Sequence, residues 1–319
     1  MDELFNRLLK GDRRALAKAI TLIENDDLEK YNLLKSIYSC QHHSYIIGVT
    51  GSPGSGKSTL VNKLIIRARE EQWSVGVLAI DPSSPFSGGA LLGDRIRMQE
   101  HTLDPSIFIR SMGSRGALGG LSKATREACK VLNAFKKDII ILETVGVGQS
   151  EVDIVKYADT TLLVLTPAGG DGVQTIKAGV MEIADIFVVN KADFPGSDRT
   201  YSELEAMLEL SNEKLRRPSI IKTIASEGQG IGELFTSILE HYLYIKNSGF
   251  LNEVRRKRIQ RELVEQLENI ICEHTWKKIN NCIHLDDVVN EILHQRSDPY
   301  SSAKNLLNTY ILPETDQLE

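Results

Sequence analysis

The stretch GSPGSGKST, residues 51–59, constrains the fold of this chain more than any other feature. It satisfies the pattern G-x-x-x-x-G-K-[ST], and it lies between an apolar run, YIIGVT, and a helix-like run, KSTLVNKLIIRARE. Glycine-rich loops of this kind turn successive backbone N–H groups toward phosphate oxygens, and the N-terminus of the following helix adds partial positive charge. The sequence therefore predicts a strand, a phosphate-binding loop and a helix, in that order.

Two side chains of this loop have predicted roles of their own. We expect Lys57 to reach the β- and γ-phosphates of a nucleotide as a catalytic residue, and the Ser58 hydroxyl to bind Mg²⁺. A glycine-rich turn that only joins a strand to a helix is the alternative, and the motif and its context together disfavour it. The predicted phosphate-binding residues are Gly51, Ser52, Pro53, Gly54, Ser55, Gly56, Lys57, Ser58 and Thr59.

From about residue 44 to 246 the chain alternates short apolar runs with helix-length amphipathic stretches. This pattern predicts an α/β fold, with a mainly parallel sheet, helices on both faces and ligands at the carboxyl ends of the strands. The predicted strands are 45–50, 74–80, 106–110, 138–143, 161–166, 186–190 and 219–223. We predict a helical extension at 1–40 with Asp12 as a helix N-cap, a nucleotide-binding domain at 41–246 and a helical region at 247–319.

The sequence NKAD, residues 190–193, follows a predicted strand and indicates which base is bound. A carboxylate at Asp193 can accept hydrogen bonds from guanine N1–H and N2–H₂, and adenine offers no such pair of donors. A site built around such bonds rejects a ligand that lacks them by roughly 10⁴–10⁵. In TIAS, residues 223–226, we expect a backbone N–H to meet guanine O6. GTP and GDP are therefore the predicted ligands, bound by Asn190, Lys191, Asp193, Ile224, Ala225 and Ser226.

Three carboxylates at or near predicted strand ends are candidates for the metal site, with Ser58: Asp81, Asp94 and Glu143. Mg²⁺ prefers oxygen ligands and is often held partly through water. From the residues alone, Asp94 is equally consistent with a solvated loop charge. Asp94 and Glu143 are also candidates for catalysis.

The turn ETVG, residues 143–146, has Glu where many GTP switches have Asp, and Val147 stands where many such proteins place the residue that orients the attacking water. Gln149 is the nearest polar side chain and is our candidate for that catalytic role. Since phosphoryl transfer depends on positioning and a missing group can come from a partner, we expect slow intrinsic hydrolysis that a partner accelerates.

Composition excludes several other classes. The chain has 38 basic and 43 acidic residues, a net charge of -5, which predicts neither nucleic-acid nor anionic-membrane binding. Four dispersed cysteines, Cys40, Cys129, Cys272 and Cys282, suggest neither a disulfide framework nor a zinc site, and we expect them to be reduced and buried. The charged N-terminus and the lack of a long apolar run predict a soluble, cytoplasmic protein.

These motifs, together with LAIDPSSPFSGGALLGDRIRM, RSMGSRGALGGLS, ETVGVGQSE and GGDGVQTIKAG, resemble the MeaB/ArgK family of methylmalonyl-CoA mutase-associated GTPases, in the SIMIBI class of P-loop GTPases. The resemblance implies that Asp81, Asp94 and Glu143 surround Mg²⁺ and the γ-phosphate. It also implies nucleotide-sensing switches at 82–97 and 144–151, and an additional switch at 169–177 that contains Asp171, Gln174 and Lys177. Gly172 and Ile224 depart from the family's usual residues.

The resemblance further implies a function. Such proteins chaperone an adenosylcobalamin-dependent acyl-CoA mutase, gating its cobalamin loading and protecting or reactivating it. This chain lacks the cobalamin-binding pattern D-x-H-x-x-G, so we expect the partner to carry the cobalamin. From the residues alone, the apolar positions of the C-terminal helices indicate that these helices fold back on the nucleotide-binding domain. The resemblance instead implies a C-terminal arm that forms a homodimer, with the self-complementary contact of two-fold symmetry.

Two other functions are consistent with the same fold class. A nickel metallochaperone GTPase would need thiolate and imidazole ligands, for which the sequence offers His42-His43 and Cys272-x-His274. A phosphotransferase linked to amino-acid (LAO/AO) transport would need a protein-substrate site, and we identify none in the sequence.

Overall fold

The computed structural model describes residues 2–40, 42–81, 101, 103–113, 123–144, 154–167, 184–210, 216–282 and 285–310. The chain forms two compact units, residues 1–251 and 252–319.

The centre of the first unit is a seven-stranded sheet. In chain order the strands are β1 (Tyr45–Thr50), β2 (Val75–Asp81), β3 (Ile107–Gly113), β4 (Ile139–Thr144), β5 (Thr160–Leu165), β6 (Ile186–Asn190) and β7 (Ser219–Thr223). Their spatial order is β3-β2-β4-β1-β5-β6-β7, and every described pairing is parallel. This confirms the predicted α/β fold.

Helices cover the sheet in the first unit. They are α1 (Asp2–Leu9), α2 (Arg13–Glu24), α3 (Glu29–Ile37), α4 (Lys57–Glu70), α5 (Lys123–Ala134), α6 (Ser197–Leu210) and α7 (Ile231–Asn247). Alternate residues of one strand face different helices: Ile139 and Ile141 of β4 pack in a core with α4 and α7, whereas Ile140 and Leu142 pack in a core with α1–α3 and α5. Both faces of β4 are therefore buried, which explains its continuous apolar sequence.

The N-terminal helices are joined to the sheet by apolar packing and by polar contacts. The Asp12 carboxylate accepts hydrogen bonds from the backbone N–H groups of Arg14 (2.8 Å) and Ala15 (3.3 Å), which confirms it as the N-cap of α2. The Arg13 guanidinium donates to the carbonyl oxygens of Asp104 (3.3 Å) and Ile107 (3.0 Å), at the start of β3. These contacts hold α2 against the edge strand of the sheet.

The second unit contains most of α8 (Phe250–Cys282), followed by α9 (Leu285–Leu293) and α10 (Pro299–Tyr310). Its long helix leaves a row of large apolar side chains 47–62% exposed: Ile259, Leu263, Val264, Leu267, Ile270 and Ile271. None of the described helices has the length and apolar character needed to cross a membrane.

The expectation that the cysteines are buried is wrong for Cys272, which is exposed on α8, and for Cys40, which is half-buried, whereas Cys129 is buried.

Candidate nucleotide-binding site

The residues of the site lie where neighbouring parallel strands end. Val49 of β1 is paired with Glu143 of β4, and Asn190 of β6 with Thr223 of β7. Because the strands are parallel, their carboxyl ends meet at one edge of the sheet, and the loop 51–56 follows β1 at that edge.

Two glycines of the loop are required by close approaches. A Cβ on Gly51, which has φ +138°, would lie 2.1 Å from the carbonyl oxygen of Val164, and a Cβ on Gly56, with φ +88°, would lie 2.3 Å from Asn190 Nδ2. A side chain at either position would displace the loop from β5 or β6. The loop therefore fits tightly against the strand ends, with its main chain available for phosphate contacts.

Lys57 begins α4 and is buried. Its Nζ donates to the carbonyl oxygens of Gly51 (2.6 Å) and Ser52 (2.9 Å), so the ammonium group lies against the phosphate-binding loop. Ammonium in this place is suited to bind the phosphates that the loop N–H groups would cradle.

Ser58 and Glu143 are brought together although they are 85 residues apart in the chain: Ser58 Oγ donates to Glu143 Oε1 at 2.5 Å. Glu143 is 2% exposed at the end of β4. A hydroxyl and a carboxylate are hard oxygen donors of the kind that Mg²⁺ prefers, and water can supply the remaining ligands. The residues present therefore fit the metal. Thr144 Oγ1 donates to Thr50 Oγ1 (3.2 Å) and so ties the same end of β4 to β1.

Asn190 links three segments of the site. Its Nδ2 donates to the carbonyl oxygen of Ser55 (2.8 Å), and its Oδ1 accepts from Thr223 Oγ1 (3.1 Å) and from the backbone N–H of Ala225 (3.1 Å). Asn190 is 2% exposed, and every one of these bonds is made to protein. The side-chain amide therefore holds the phosphate loop in a fixed position relative to the loop after β7.

The turn after β6 presents the remaining groups predicted to bind the base. Lys191 has φ +57°, in the left-handed region, and Ala192 N–H donates to the carbonyl oxygen of Thr223 (3.1 Å). Asp193 is exposed on this turn, and Ser226 is exposed on the neighbouring one, where Ile224 N–H donates to the carbonyl oxygen of Gln229 (3.1 Å). A carboxylate and a backbone turn thus flank the same edge of the sheet.

Comparison with known proteins is consistent with this geometry. The sequence matches the family described as methylmalonyl Co-A mutase-associated GTPase MeaB over residues 16–280. The chain belongs to the MeaB family. A relative from Pyrococcus horikoshii, which is named as a GTPase, is 53% identical over 316 residues. The match covers 98% of each chain.

Two further relatives of this MeaB-family chain come from a bacterium and from a mammal. The Escherichia coli GTPase ArgK is 36% identical over 285 residues, 86% of each chain. The mouse protein named methylmalonic aciduria type A homolog, mitochondrial, is 35% identical over 331 residues, 97% of this chain and 79% of its own.

A crystal structure of a LAO/AO transport system kinase superposes with a TM-score of 0.70 at 26% identity, covering 96% of this chain and 95% of that one. Family and relatives together show that this MeaB-family protein is a P-loop GTPase that binds guanine nucleotides, as the sequence motifs predicted.

Several predicted residues lie outside the described part of the chain: Asp94, Gln149, Asp171, Gln174 and Lys177. Asp81 is described in its backbone, as the last residue of β2, next to β4 in the sheet. The described residues therefore bring together Lys57, Ser58 and Glu143 at the phosphate end and Asn190, Lys191 and Asp193 at the base end.

The sequence reasoning missed how Asn190 acts. It grouped Asn190 with the base-binding residues, and the structure shows its amide bridging segments separated by 135 residues. No spacing in the sequence signals such a bridge. Ser55 Oγ was also missed: it is buried and makes no hydrogen bond among the described residues.

The candidate nickel ligands belong to no metal-binding group among the described residues. Within the described residues, no group of three or more His, Cys, Asp or Glu side chains could hold a metal ion. His42 Nε2 lies 3.0 Å from the carbonyl oxygen of Lys137, and Cys272 and His274 are on the exposed surface of α8. These residues give no support to the nickel alternative.

Proposed function

We propose that this MeaB-family GTPase controls an adenosylcobalamin-dependent acyl-CoA mutase, with methylmalonyl-CoA mutase as the expected partner. The family's description names that mutase, and the mouse relative's name refers to methylmalonic aciduria. The structural observation that best supports the proposed nucleotide site is the pair of hydrogen bonds made by the Asn190 amide. These bonds link the predicted phosphate-binding loop at Ser55 to the predicted base-binding turn at Ala225.

In this proposal the loop from Gly51 to Thr59 binds the phosphates through its N–H groups. Lys57 contacts the β- and γ-phosphates, and Asp193 reads guanine while Lys191 and the 224–226 turn complete the base pocket. Asn190 serves this pocket by holding it in place. The buried position of Lys57 against the loop carbonyls supports the first assignment.

Ser58 and Glu143 would hold Mg²⁺, with Asp81 and Asp94 as the further carboxylates of the cluster. Their oxygen donors and the 2.5 Å contact between Ser58 and Glu143 support this assignment. The metal, when bound, neutralises charge on the phosphate oxygens. Glu143 also holds the hydroxyl of Ser58 in place. We assign Gln149 to orienting the attacking water.

Control of the mutase would follow the nucleotide state. GTP orders the switch segments, including the one containing Asp171, Gln174 and Lys177, the ordered form binds the mutase, and hydrolysis releases it. In this cycle the GTPase gates cobalamin loading and protects or reactivates the mutase. The cobalamin is carried by the partner and not by this chain.

We also propose that the exposed apolar row on α8 forms a homodimer contact. Six large apolar side chains on one side of a helix, each about half exposed, are more than a monomer surface ordinarily presents as one patch. Leu263→Asp and Leu267→Asp should convert a dimer measured by light scattering into a monomer, while Glu265→Lys leaves the mass unchanged. A monomeric wild type, or dimeric aspartate variants, would contradict this contact.

The experiment that tests the mutase role measures single-turnover GTP hydrolysis with and without purified methylmalonyl-CoA mutase. We expect slow hydrolysis alone and an acceleration of at least about tenfold with the mutase, since a partner can supply a missing catalytic group. An Asp193→Asn variant should lose the effect at the same GTP concentration. An unchanged rate, with no complex in either GDP or a non-hydrolysable GTP analogue, would sink the proposal.

The same assay separates hydrolysis from phosphotransfer. With GTP labelled on the γ-phosphate, we expect the label to appear as inorganic phosphate and not on an added amino-acid-binding protein.

A further inference from the structure

The residue that follows the NKAD motif is an exposed aromatic. Phe194 is 47% exposed, and it is absent from the hydrophobic clusters that the described residues form. One exposed apolar side chain needs no explanation by itself. The position of Phe194 is informative, however. It directly follows Asp193 in the turn proposed to bind the base, at the carboxyl edge of the sheet.

Local geometry places the Phe194 ring beside Lys191. The backbone N–H of Phe194 donates to the carbonyl oxygen of Lys191 (3.0 Å), which closes a tight turn with Asp193 inside it. Lys191 Nζ lies over the Phe194 ring, 6.0 Å from its centroid, at the outer limit of a cation–π contact. The ammonium group is thereby drawn toward the ring.

A protein site that binds a purine base must provide two kinds of contact. Its polar edge must meet hydrogen-bonding groups, and its flat faces must meet apolar surface that excludes water. Asp193 offers the first. The ring of Phe194 and the stem of Lys191 offer the second, and aromatic side chains are effective here because a base stacks on them through its π-face.

We propose that Phe194 is a nucleotide-affinity residue of this GTPase: its ring, with the Lys191 stem, forms an apolar wall against which the guanine base packs. The inference rests on the guanine pocket proposed above and adds a residue outside the four-residue motif. Phe194 contacts the base and takes no part in phosphate chemistry. It acts on the binding of GTP and GDP alike.

The test compares Phe194→Ala and Phe194→Tyr by calorimetric titration with GDP and with tripolyphosphate, which has the phosphates but no base. Phe194→Ala should weaken GDP binding about tenfold, equivalent to ~1.4 kcal/mol, and leave tripolyphosphate binding unchanged. Phe194→Tyr should restore GDP binding to the wild-type level. GDP binding by Phe194→Ala at the wild-type level, or an equal loss of tripolyphosphate binding, would overturn the proposal.

Tyr38→Ala is the matched control. Tyr38 is 60% exposed and has Lys130 over its ring, with Nζ 4.8 Å from the centroid, so it repeats the same chemistry at the C-cap of α3. This variant should bind GDP as wild type does. A tenfold loss in Tyr38→Ala would show that any exposed aromatic has this effect, and would refute a wall specific to Phe194.

A second variant distinguishes an error in the proposed role of Phe194 from an error in the proposed guanine pocket. Asp193→Asn should lose GDP affinity and gain affinity for xanthosine diphosphate, because an amide offers xanthine the donor that a carboxylate lacks. If Asp193→Asn does this and Phe194→Ala does not weaken GDP, only the wall is wrong. If Asp193→Asn binds GDP normally, the guanine pocket itself is misassigned.

Discussion

Asn190 Nδ2 lies 2.8 Å from the carbonyl oxygen of Ser55, so the end of β6 is hydrogen-bonded to the loop that follows β1. Through Oδ1 the same amide also accepts from Ala225 N–H after β7. One buried side chain thus sets the separation between the phosphate end and the base end of the site. A nucleotide that contacts both ends therefore binds to two loops whose separation is already fixed. Less conformational entropy is then lost when the nucleotide binds.

Replacing Asn190 with Ala removes this fixed separation. Buried polar groups of Ser55, Thr223 and Ala225 lose their partner, and we expect the free energy of unfolding to fall by about 2–3 kcal/mol. GDP affinity should fall in parallel. Urea denaturation followed by tryptophan fluorescence measures the first effect and calorimetry the second. Asn32→Ala, on the exposed surface of α3, is the control and should change stability by less than about 0.5 kcal/mol.

Glu143→Gln keeps the shape of the side chain and removes its charge. Ser58 Oγ can still donate to the remaining oxygen, so we expect the fold to survive and GDP binding without Mg²⁺ to be unchanged. The Mg²⁺ concentration needed for half-maximal turnover should rise about 10–100-fold. Titrating Mg²⁺ at saturating GTP provides the measurement. Glu240→Gln, exposed on α7, should behave as wild type, and an unshifted Mg²⁺ dependence in Glu143→Gln would argue against a metal role.

Lys30 and Glu127 form a buried ion pair between α3 and α5, with Lys30 Nζ 2.9 Å from Glu127 Oε2. Burial alone would lower the pKa of Lys30, but hydrogen bonds to Asp26 and Glu127 raise it above its ordinary value, so the amine is charged. Lys30→Ala leaves the Glu127 carboxylate buried without this amine, at a cost of about 3–5 kcal/mol in the free energy of unfolding.

Restoring neutrality should restore stability. The double variant Lys30→Met with Glu127→Leu should recover most of the loss, since replacing a whole buried pair by apolar residues is often neutral. Lys35→Ala on the exposed side of the same helix serves as the control. Equal unfolding free energies for Lys30→Ala and wild type would show that the pair does not contribute.

Lys137 predicts a pH dependence of stability. Burial lowers its pKa from 10.5 to about 8, and the nearby charge of Arg13 adds to the effect. Between pH 8 and 10.5 the unfolded chain binds more protons at this site than the folded chain, so the free energy of unfolding rises with pH there. Below pH 8 the charged amine opposes folding, by on the order of 3 kcal/mol.

The measurement compares wild type with Lys137→Met, because other titrating groups cancel in the difference. From pH 7 to pH 10, wild type should gain about 2–3 kcal/mol relative to this variant. A flat difference for Lys137→Met would mean that the amine titrates alike in the folded and unfolded chains.

Sequence patterns predicted the bounds of three strands. β1, β6 and β7 begin and end where predicted. β1 and β6 lie inside the sheet and are largely buried, and such strands are short, mainly apolar runs with clear limits. β3 runs on to Gly113, beyond its predicted end at residue 110, since the pairing of Ser111 with Ala79 of β2 extends it through a polar residue. Pairing with a neighbour decided that boundary, and no local preference could reveal it.

The site divides in the same way. Lys57 and Ser58 were predictable because one motif fixes their positions next to a strand and a helix. The Ser58 contact with Glu143 follows from the sheet order, which places β4 beside β1. The bridge from Asn190 to Ser55 and the ion pair of Lys30 with Glu127 join residues 135 and 97 positions apart, and only the folded chain brings them together.

The Arg13 guanidinium donates hydrogen bonds to the carbonyl oxygens of Asp104 and Ile107. This contact limits how far the N-terminus of the protein can be truncated. A fragment starting at residue 41 would still contain every motif of the nucleotide site. It would also expose the apolar surface that Leu16 and Ile20 cover in the core shared with α5 and β4. The smallest piece that folds must therefore begin well upstream of its first catalytic residue, and libraries of truncated variants should keep the N-terminal helices intact.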